Sequence, residues 1–476
     1  MRLSQLLQDI VYHGDIQDCE INGITCDSRN VQKGQVFACL QGVQFDGHDF
    51  ASVASEKGAI ILAQRDLGLP NQIIVQDSHF AYAKAVANFY GNPAKSLKLI
   101  GVTGTNGKTT VTNIIKSVLT QLGYKIGLIG TIQNEIGDKI LPTDKTTPDP
   151  DTFQSLLKKM ADEQCDYVVM EVSSHALEQC RLADSHFEIG LFTNLTQDHL
   201  DYHQTMENYY QAKKKLFHNC NQGIICIDDE YGLRLAQEIS CPHKTFSVLR
   251  KADYRAKDVQ MNVNGVQFYI QNGSLSGKIH FCTPGMFSVH NAFAAALCCL
   301  ALGISFDRAA NAIAQSPPVK GRSERIYVDD RFTVLCDYAH SPDGLKNILD
   351  SIADYKTGRV VALFGCGGDR DKKKRSLMGE VAARNADFLV VTSDNPRTED
   401  PDLIIDDIMQ GVEKYDTPYV RITNRKEAIS YAITHAEKGD IILLAGKGHE
   451  DYQVLGREKI HFDEREIVSE IIHNCN

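Results

Sequence analysis

Gly101-Val-Thr-Gly-Thr-Asn-Gly-Lys-Thr-Thr110 decides how this chain is read. It follows an apolar stretch, residues 97–102, that suits a short buried strand, and it leads into residues 111–122, whose apolar side chains recur at helical spacing. A glycine-rich turn between strand and helix exposes backbone N–H groups at the helix N-terminus, where the dipole also favours an anion. Lys108 brings positive charge to the outer phosphates of a nucleotide, and Thr109 brings a hydroxyl to a phosphate-bound Mg²⁺. The spacing departs from the usual phosphate loop: the first glycine would fall at Val102, whereas the glycines present are Gly101 and Gly104. A plain turn needs neither the lysine nor the paired threonines. The stretch therefore reads as a nucleotide triphosphate cradle built from Gly104, Thr105, Asn106, Gly107, Lys108, Thr109 and Thr110.

Outward from this loop, the chain of 476 residues is too long for one ordinary core. Its 43% hydrophobic and 23% charged content is that of a globular protein, and a net charge of −11 argues against non-specific nucleic-acid binding. No apolar run approaches the roughly 20 residues that cross a bilayer, so no membrane insertion is expected. Residues 1–10 include Gln5, Gln8 and Asp9 and do not read as a signal peptide. The fourteen cysteines are scattered without a C-x-x-C pair, and Cys298 and Cys299 lie in alanine- and leucine-rich text. Reduced, buried thiols in a cytoplasmic protein are the expectation.

Short strand-like runs mark residues 36–40, 59–62 and 73–75. Beyond the loop, apolar strands are expected at 167–171 and 189–194, a polar alternating segment at 260–281 and an alanine-rich helix at 290–302. Pro317-Pro318, followed by Gly321, reads as a hinge. After it, strands at 333–337, 360–364, 388–392 and 441–445 alternate with helical text, which predicts a mostly parallel sheet covered on both faces.

Glu171 ends the strand Tyr-Val-Val-Met-Glu171, and Ser173-Ser174-His175 follows at once. A carboxylate at the C-terminal end of a parallel strand, in a chain with a phosphate loop, is placed to hold Mg²⁺. The next strand runs into Thr193-Asn-Leu-Thr-Gln-Asp-His-Leu-Asp-Tyr-His203, so His199 is a candidate second ligand, with Asp198 and Asp201 orienting it. By itself Lys213-Lys214-Lys215 is a solvated basic face.

Taken together, Gly104-Thr-Asn-Gly-Lys-Thr-Thr110, Asn194-Leu-Thr-Gln-Asp-His-Leu-Asp201, Asn291, Gly321-Arg322 and Asp337-Tyr-Ala-His340 resemble, in order, elements of the Mur ligases, which join amino acids to peptidoglycan precursors. The resemblance covers nearly the whole chain. It implies an α/β protein of three domains: a small α/β UDP-precursor-binding domain at 1–96, a central phosphate-loop ATPase domain with a mostly parallel sheet at 97–317, and a Rossmann-like amino-acid-binding domain at 318–476. It further implies that Asn291, Arg322 and Asp337 contact the nucleotide. Lys213 matches the lysine that these enzymes carry as a carbamate (N6-carboxylysine), an oxygen ligand for Mg²⁺ beside Thr109, Glu171 and His199. Neighbouring cations are expected to lower its pKa and leave some neutral amine for CO₂. Lys108, Lys213, Glu171 and His199 are the implied catalytic groups.

The two ends of the chain narrow the substrate. Thr25-Cys-Asp-Ser-Arg29 resembles the UDP-binding segment of the members that add the third peptide residue, with Ser28 on the UDP-sugar. Thr146, Thr147, Ser173, Gln179 and Arg181 resemble their contacts to UDP-N-acetylmuramoyl-L-alanyl-D-glutamate. Toward the C-terminus, Gly365-Cys-Gly-Gly-Asp-Arg370, Asp394-Asn-Pro-Arg397 and Gly446-Lys-Gly-His-Glu450 each follow a predicted strand. The tetrapeptide Asp394, Asn395, Pro396, Arg397 resembles the signature of meso-2,6-diaminopimelate-adding members, and Arg370, Gly446 and Glu450 complete the implied acceptor site. Diaminopimelate ends in an ammonium-plus-carboxylate centre where lysine has an ammonium alone. Arg397 can pair bidentately with the distal carboxylate, and Glu450 can take the distal ammonium. Facing lysine, Arg397 would stay unpaired, a loss of about 3–5 kcal/mol. The expected activity is ATP-dependent amide ligation through an acyl phosphate, by a monomer. The alternatives are an L-lysine-adding ligase, a folylpolyglutamate synthetase, and a non-catalytic, nucleotide-dependent protein that binds cell-wall precursors.

Overall fold

Lys98–Thr103 forms a strand because all but its first residue is buried, and it pairs in parallel on both sides, with Phe187–Phe192 and Tyr167–Glu171. Such two-sided burial explains the continuous apolar text of these segments. The computed structural model describes residues 1–42, 45–273 and 275–475. By compactness the chain forms two units, Met1–Tyr254 with Ala294–Ser305 and Arg255–Phe293 with Phe306–Asn476.

In the first unit, the strands run in the order His243–Ser247, Cys220–Cys226, Phe187–Phe192, Lys98–Thr103, Tyr167–Glu171 and Ile126–Ile129, all parallel. Asn134–Ile136 and Lys139–Leu141 extend the edge as an antiparallel hairpin. A smaller five-stranded sheet is built from Tyr12–His13, Gln72–Val75, Ile60–Ala63, Gln35–Ala38 and Gly23–Thr25, parallel except at its first strand. Its helix Ser78–Phe89 is tied to the larger sheet's layer by Lys84 Nζ on Asp184 Oδ2 (2.6 Å) and Tyr90 Oη on Asp151 Oδ1 (3.1 Å).

In the second unit, a six-stranded sheet runs Glu324–Val328, Phe332–Asp337, Asp440–Ala445, Val360–Phe364, Phe388–Val391 and Tyr419–Arg421, parallel beyond its first pair. The last of these strands in the sequence, Asp440–Ala445, sits near the middle. It buries Leu443 in one core and Ile442 and Leu444 in the other, so both faces are covered. The polar alternating text becomes the antiparallel strands Tyr254–Asn262, Gly265–Asn272 and Leu275–Phe281, with Val266, Phe268 and Ile270 on the buried face. Arg325 donates to the Val263 carbonyl (2.8 Å) and Val263 packs against the C-terminal core, which places this segment with the second unit. Among the described residues no helix is long and apolar enough to cross a membrane.

Candidate active site

The helix Lys108–Gln121 begins directly after the last glycine of the loop, earlier than the apolar run at 111 suggests. Its N-cap, Gly107, has a left-handed backbone (φ +88°) and no side-chain cap, and the helix N-terminus it opens is the kind of place where an anion is favoured. Gly104 has φ +145°, and a Cβ there would lie 1.9 Å from Thr193 Oγ1; only glycine fits. The segment after Phe187–Phe192 clamps the loop. Thr105 N donates to the Asn194 carbonyl (2.9 Å), Asn106 N to Asn194 Oδ1 (3.0 Å), and Thr193 Oγ1 to the Asn106 carbonyl (2.6 Å). Thr110 is buried in the first helical turn.

Strand order then brings Glu171 to the loop. The carboxylate is buried and accepts from Thr109 Oγ1 (2.9 Å), Thr131 Oγ1 (3.1 Å) and Thr131 N (2.8 Å). The sequence offered no signal for Thr131 beyond its place after a strand. The same cluster includes the residues expected to hold the precursor. Thr146 Oγ1 lies 3.0 Å from Thr131 Oγ1, and Thr147 Oγ1 donates to the Glu171 carbonyl (2.8 Å) and accepts from Ser173 N (2.9 Å). Arg181 Nη1 donates to the Thr147 carbonyl (2.9 Å) and its Nη2 to Gln179 Oε1 (2.7 Å). Ser28 lies in the smaller-sheet region, with its carbonyl held by Lys57 Nζ (3.0 Å).

The lysine run is not a solvated face. Lys213 is 1% exposed, whereas Lys214 pairs with Glu238 (2.8 Å) and Lys215 with Glu178 (2.7 Å). Lys213 Nζ donates to the Gly104 carbonyl at 2.7 Å, the oxygen that also accepts Lys108 Nζ at 2.9 Å, and it lies over the Tyr209 ring. Burial first, and Lys108 second, hold the Lys213 amine well below the usual lysine range. Neighbouring cations alone were expected to do this; the enclosure of the side chain is the larger cause. His199 has a left-handed backbone (φ +53°) and joins the site by ring packing, 4.8 Å from His175, with Asp198 Oδ2 3.5 Å from its Nε2. Burial, reinforced by His199 and His203, pushes His175 down to about 4. Asp201 acts on these rings electrostatically.

In the second unit, Asp337 accepts from Ser323 N (2.6 Å) and Ala339 N (2.8 Å), and the Arg322 guanidinium lies over the Tyr338 ring. Burial raises the Asp337 carboxyl, against the pull of Arg322. Asn291 is buried in the helix Met286–Ala301. The three loops expected to hold the acceptor lie at the C-terminal ends of Val360–Phe364, Phe388–Val391 and Asp440–Ala445. Arg397, at φ +53°, donates from Nη1 to the Gly368 carbonyl (2.7 Å), and Gly368 N donates to the Asn395 carbonyl (2.9 Å). Asn395 Nδ2 donates to Glu450 Oε2 (2.9 Å), and burial raises the Glu450 carboxyl. Among the described residues Asp394 Oδ2 is buried without a hydrogen bond, against Gly446, while Arg370 is exposed beside Gly367 and Pro396 is buried. A hairpin that the sequence reading missed, Tyr452–Leu455 with Glu458–His461, straps this cluster. Arg397 N donates to the Val454 carbonyl (3.1 Å), Gly456 N to the Arg397 carbonyl (2.7 Å) and Gln453 Nε2 to the Asp394 carbonyl (2.6 Å).

Three family models match the chain in succession: Mur ligase family, catalytic domain at residues 20–93; Mur ligase middle domain at 102–299; and Mur ligase, glutamate ligase domain at 321–448. The chain is 46% identical, over 99% of both sequences, to the UDP-N-acetylmuramoyl-L-alanyl-D-glutamate–2,6-diaminopimelate ligase 1 of Clostridium acetobutylicum. It is 44% identical to the corresponding ligase of Listeria monocytogenes, over 98% of this chain and 97% of that one. A solved UDP-N-acetylmuramoyl-L-alanyl-D-glutamate–2,6-diaminopimelate ligase superposes with a TM-score of 0.72 at 32% identity, covering 100% of this chain and 99% of that one. MurF ligase from Thermotoga maritima in complex with ADP shares the fold, with a TM-score of 0.60 at 18% identity, over 95% and 97% of the two chains.

Proposed function

We propose an activity from one premise: the chain belongs to the Mur ligase family. It is an ATP-dependent amide ligase that adds meso-2,6-diaminopimelate to UDP-N-acetylmuramoyl-L-alanyl-D-glutamate in peptidoglycan synthesis. The observation that carries this reading is the Glu171 cluster, in which the helix that opens on Lys108 and the Thr147–Ser173–Arg181 group share one carboxylate-bearing strand end.

A carboxylate is a poor acyl donor, so the terminal D-glutamate carboxylate attacks the γ-phosphate of ATP and ADP leaves. The amine of diaminopimelate then attacks the acyl phosphate, forming the amide, releasing inorganic phosphate and losing a proton. Lys108 and the loop N–H groups meet the charge that builds on the transferred phosphoryl group. Arg181 and Ser173 orient the carboxylate, and the acceptor loops orient the amine, so the protein contributes positioning rather than a side-chain nucleophile. The residues fit a divalent cation: a buried carboxylate at a strand end, bonded to the Thr109 hydroxyl that opens the helix after the loop, is a set of hard oxygen donors. Thr109, Glu171, His199 and Lys213 as its carbamate would hold Mg²⁺, which offsets phosphate charge when bound. The buried Lys213, its pKa depressed, supports that modification. Asn291, Arg322 and Asp337 hold the nucleotide, and Ser28 the UDP moiety. In the acceptor crevice Arg397, with Arg370 beside it, takes the distal carboxylate, and Glu450, Asp394 and Asn395 take the ammonium side, close to Gly446.

The test is phosphate release from ATP with the UDP-muramoyl-dipeptide, comparing diaminopimelate and L-lysine. Stimulation by diaminopimelate and not by lysine is expected. The reverse preference would overturn the acceptor and leave the ligase standing.

A further inference from the structure

Lys447 lies between the two glycines of the last acceptor loop, and its side chain is 0% exposed. A buried ammonium is costly unless its protons are met. Here they are met inside the acceptor cluster: Nζ donates to Asn395 Oδ1 (3.0 Å) and to the Tyr452 carbonyl (2.8 Å), and it lies 3.7 Å from Glu450 Oε2. An ammonium can only donate, and so can the Val454 N–H, 3.0 Å from the same Asn395 oxygen. Two donors therefore settle which end of the carboxamide faces them. The NH₂ end is turned the other way, where Nδ2 donates to Glu450 Oε2 (2.9 Å). Lys447 thus acts on Glu450 twice, through the Asn395 amide and by its own charge.

We propose that Lys447 is a positioning residue for acceptor recognition, fixing the Asn395 carboxamide and holding Glu450 where it takes the distal ammonium of the diamino acid. That role presupposes diaminopimelate as the acceptor. Packing alone would be served as well by an apolar side chain of the same length. A positioning role instead makes the effect depend on whether the acceptor carries a distal ammonium.

The experiment compares diaminopimelate with 2-aminopimelate, which keeps the distal carboxylate and lacks the distal ammonium, each assayed as acceptor and by competition. Lys447→Met should raise KM for diaminopimelate about thirtyfold, while kcat and the KM values for ATP and the UDP-precursor stay within about threefold. Its effect on 2-aminopimelate should also stay within about threefold. Lys447→Met combined with Glu450→Gln should be no worse than Glu450→Gln alone, because both remove one interaction. Equal losses on the two acceptors, or additive losses in the double variant, would overturn the proposal. Where Lys447→Met does not fold, Lys447→Gln removes the ammonium and keeps a polar side chain; the same selective loss is expected, and an equal loss on both acceptors refutes the proposal. An unmutated enzyme indifferent to diaminopimelate refutes the acceptor assignment instead, and that control is read before any variant.

Discussion

The phosphate loop and the acceptor loops are both built at the C-terminal ends of parallel strands, yet they handle charge in opposite ways. Around Gly104, two lysines converge on one carbonyl, and Glu171 is met by neutral hydroxyls and an N–H. Around Asn395, opposite charges are already interlocked, with Lys447, Glu450 and the Arg397 backbone strapped together by the 452–461 hairpin. The first region holds like charges together, an arrangement suited to the phosphates of ATP. The second is preorganised by the protein itself. A site that processes phosphate takes its order from the ligand, whereas one that must tell two similar amino acids apart needs its geometry fixed beforehand.

The largest expected effect tests the first half of this contrast. Lys108→Ala should lower turnover by about a thousandfold, because the charge on the transferred phosphoryl group loses its partner. Binding of the UDP-precursor, followed by calorimetry, should change little; a variant retaining substantial turnover would break the assignment of the loop. Next, Lys213→Ala should lose about two to three orders of magnitude in kcat. Added bicarbonate should leave it inactive, and a small carboxylic acid such as acetate should restore part of the rate by supplying an oxygen ligand. Turnover in Lys213→Ala close to that of the unmutated enzyme, with neither additive present, would exclude the carbamate at this position.

The acceptor half predicts smaller and more selective losses. Arg397→Ala should lower kcat/KM for diaminopimelate about a hundredfold, while acyl phosphate trapped as its reduction product still forms. Arg397→Lys should recover little, since an ammonium lacks the planar fork. Loss of acyl phosphate in Arg397→Ala would show that the two regions are not separable. The smallest effect lies beneath the acceptor loops. A Cβ on Gly411 would sit 1.8 Å from the Ser376 carbonyl, where helices Lys373–Asn385 and Pro401–Val412 cross. Gly411→Ala should cost about 2 kcal/mol in stability, read as a lower thermal midpoint, with kcat of the folded enzyme within about twofold. An equal midpoint would mean that the helices part without cost.

Much of the molecule was legible in the text. The strand–glycine–lysine–helix unit was expected within a few residues of Lys98–Thr103 and Lys108–Gln121, and the runs at 360–364, 388–392 and 441–445 became strands of one sheet. Local periodicity and backbone preference are properties of neighbouring residues, so the sequence by itself determined these elements and the α/β class. It did not show that Lys213 is enclosed rather than solvated, that burial depresses its pKa more than its charged neighbours do, or that Thr131 completes the Glu171 cluster. Nor did it show Lys447 as the hinge of the Asn395 amide, although that lysine stood inside a quoted motif. Those facts depend on which strands lie side by side: Tyr167–Glu171 and Phe187–Phe192 flank Lys98–Thr103, and Asp440–Ala445 lies between Phe332–Asp337 and Val360–Phe364. Pairing between segments distant in the chain sets what is buried against what, and burial sets the charge state and the direction of each polar group; only the tertiary structure decides that.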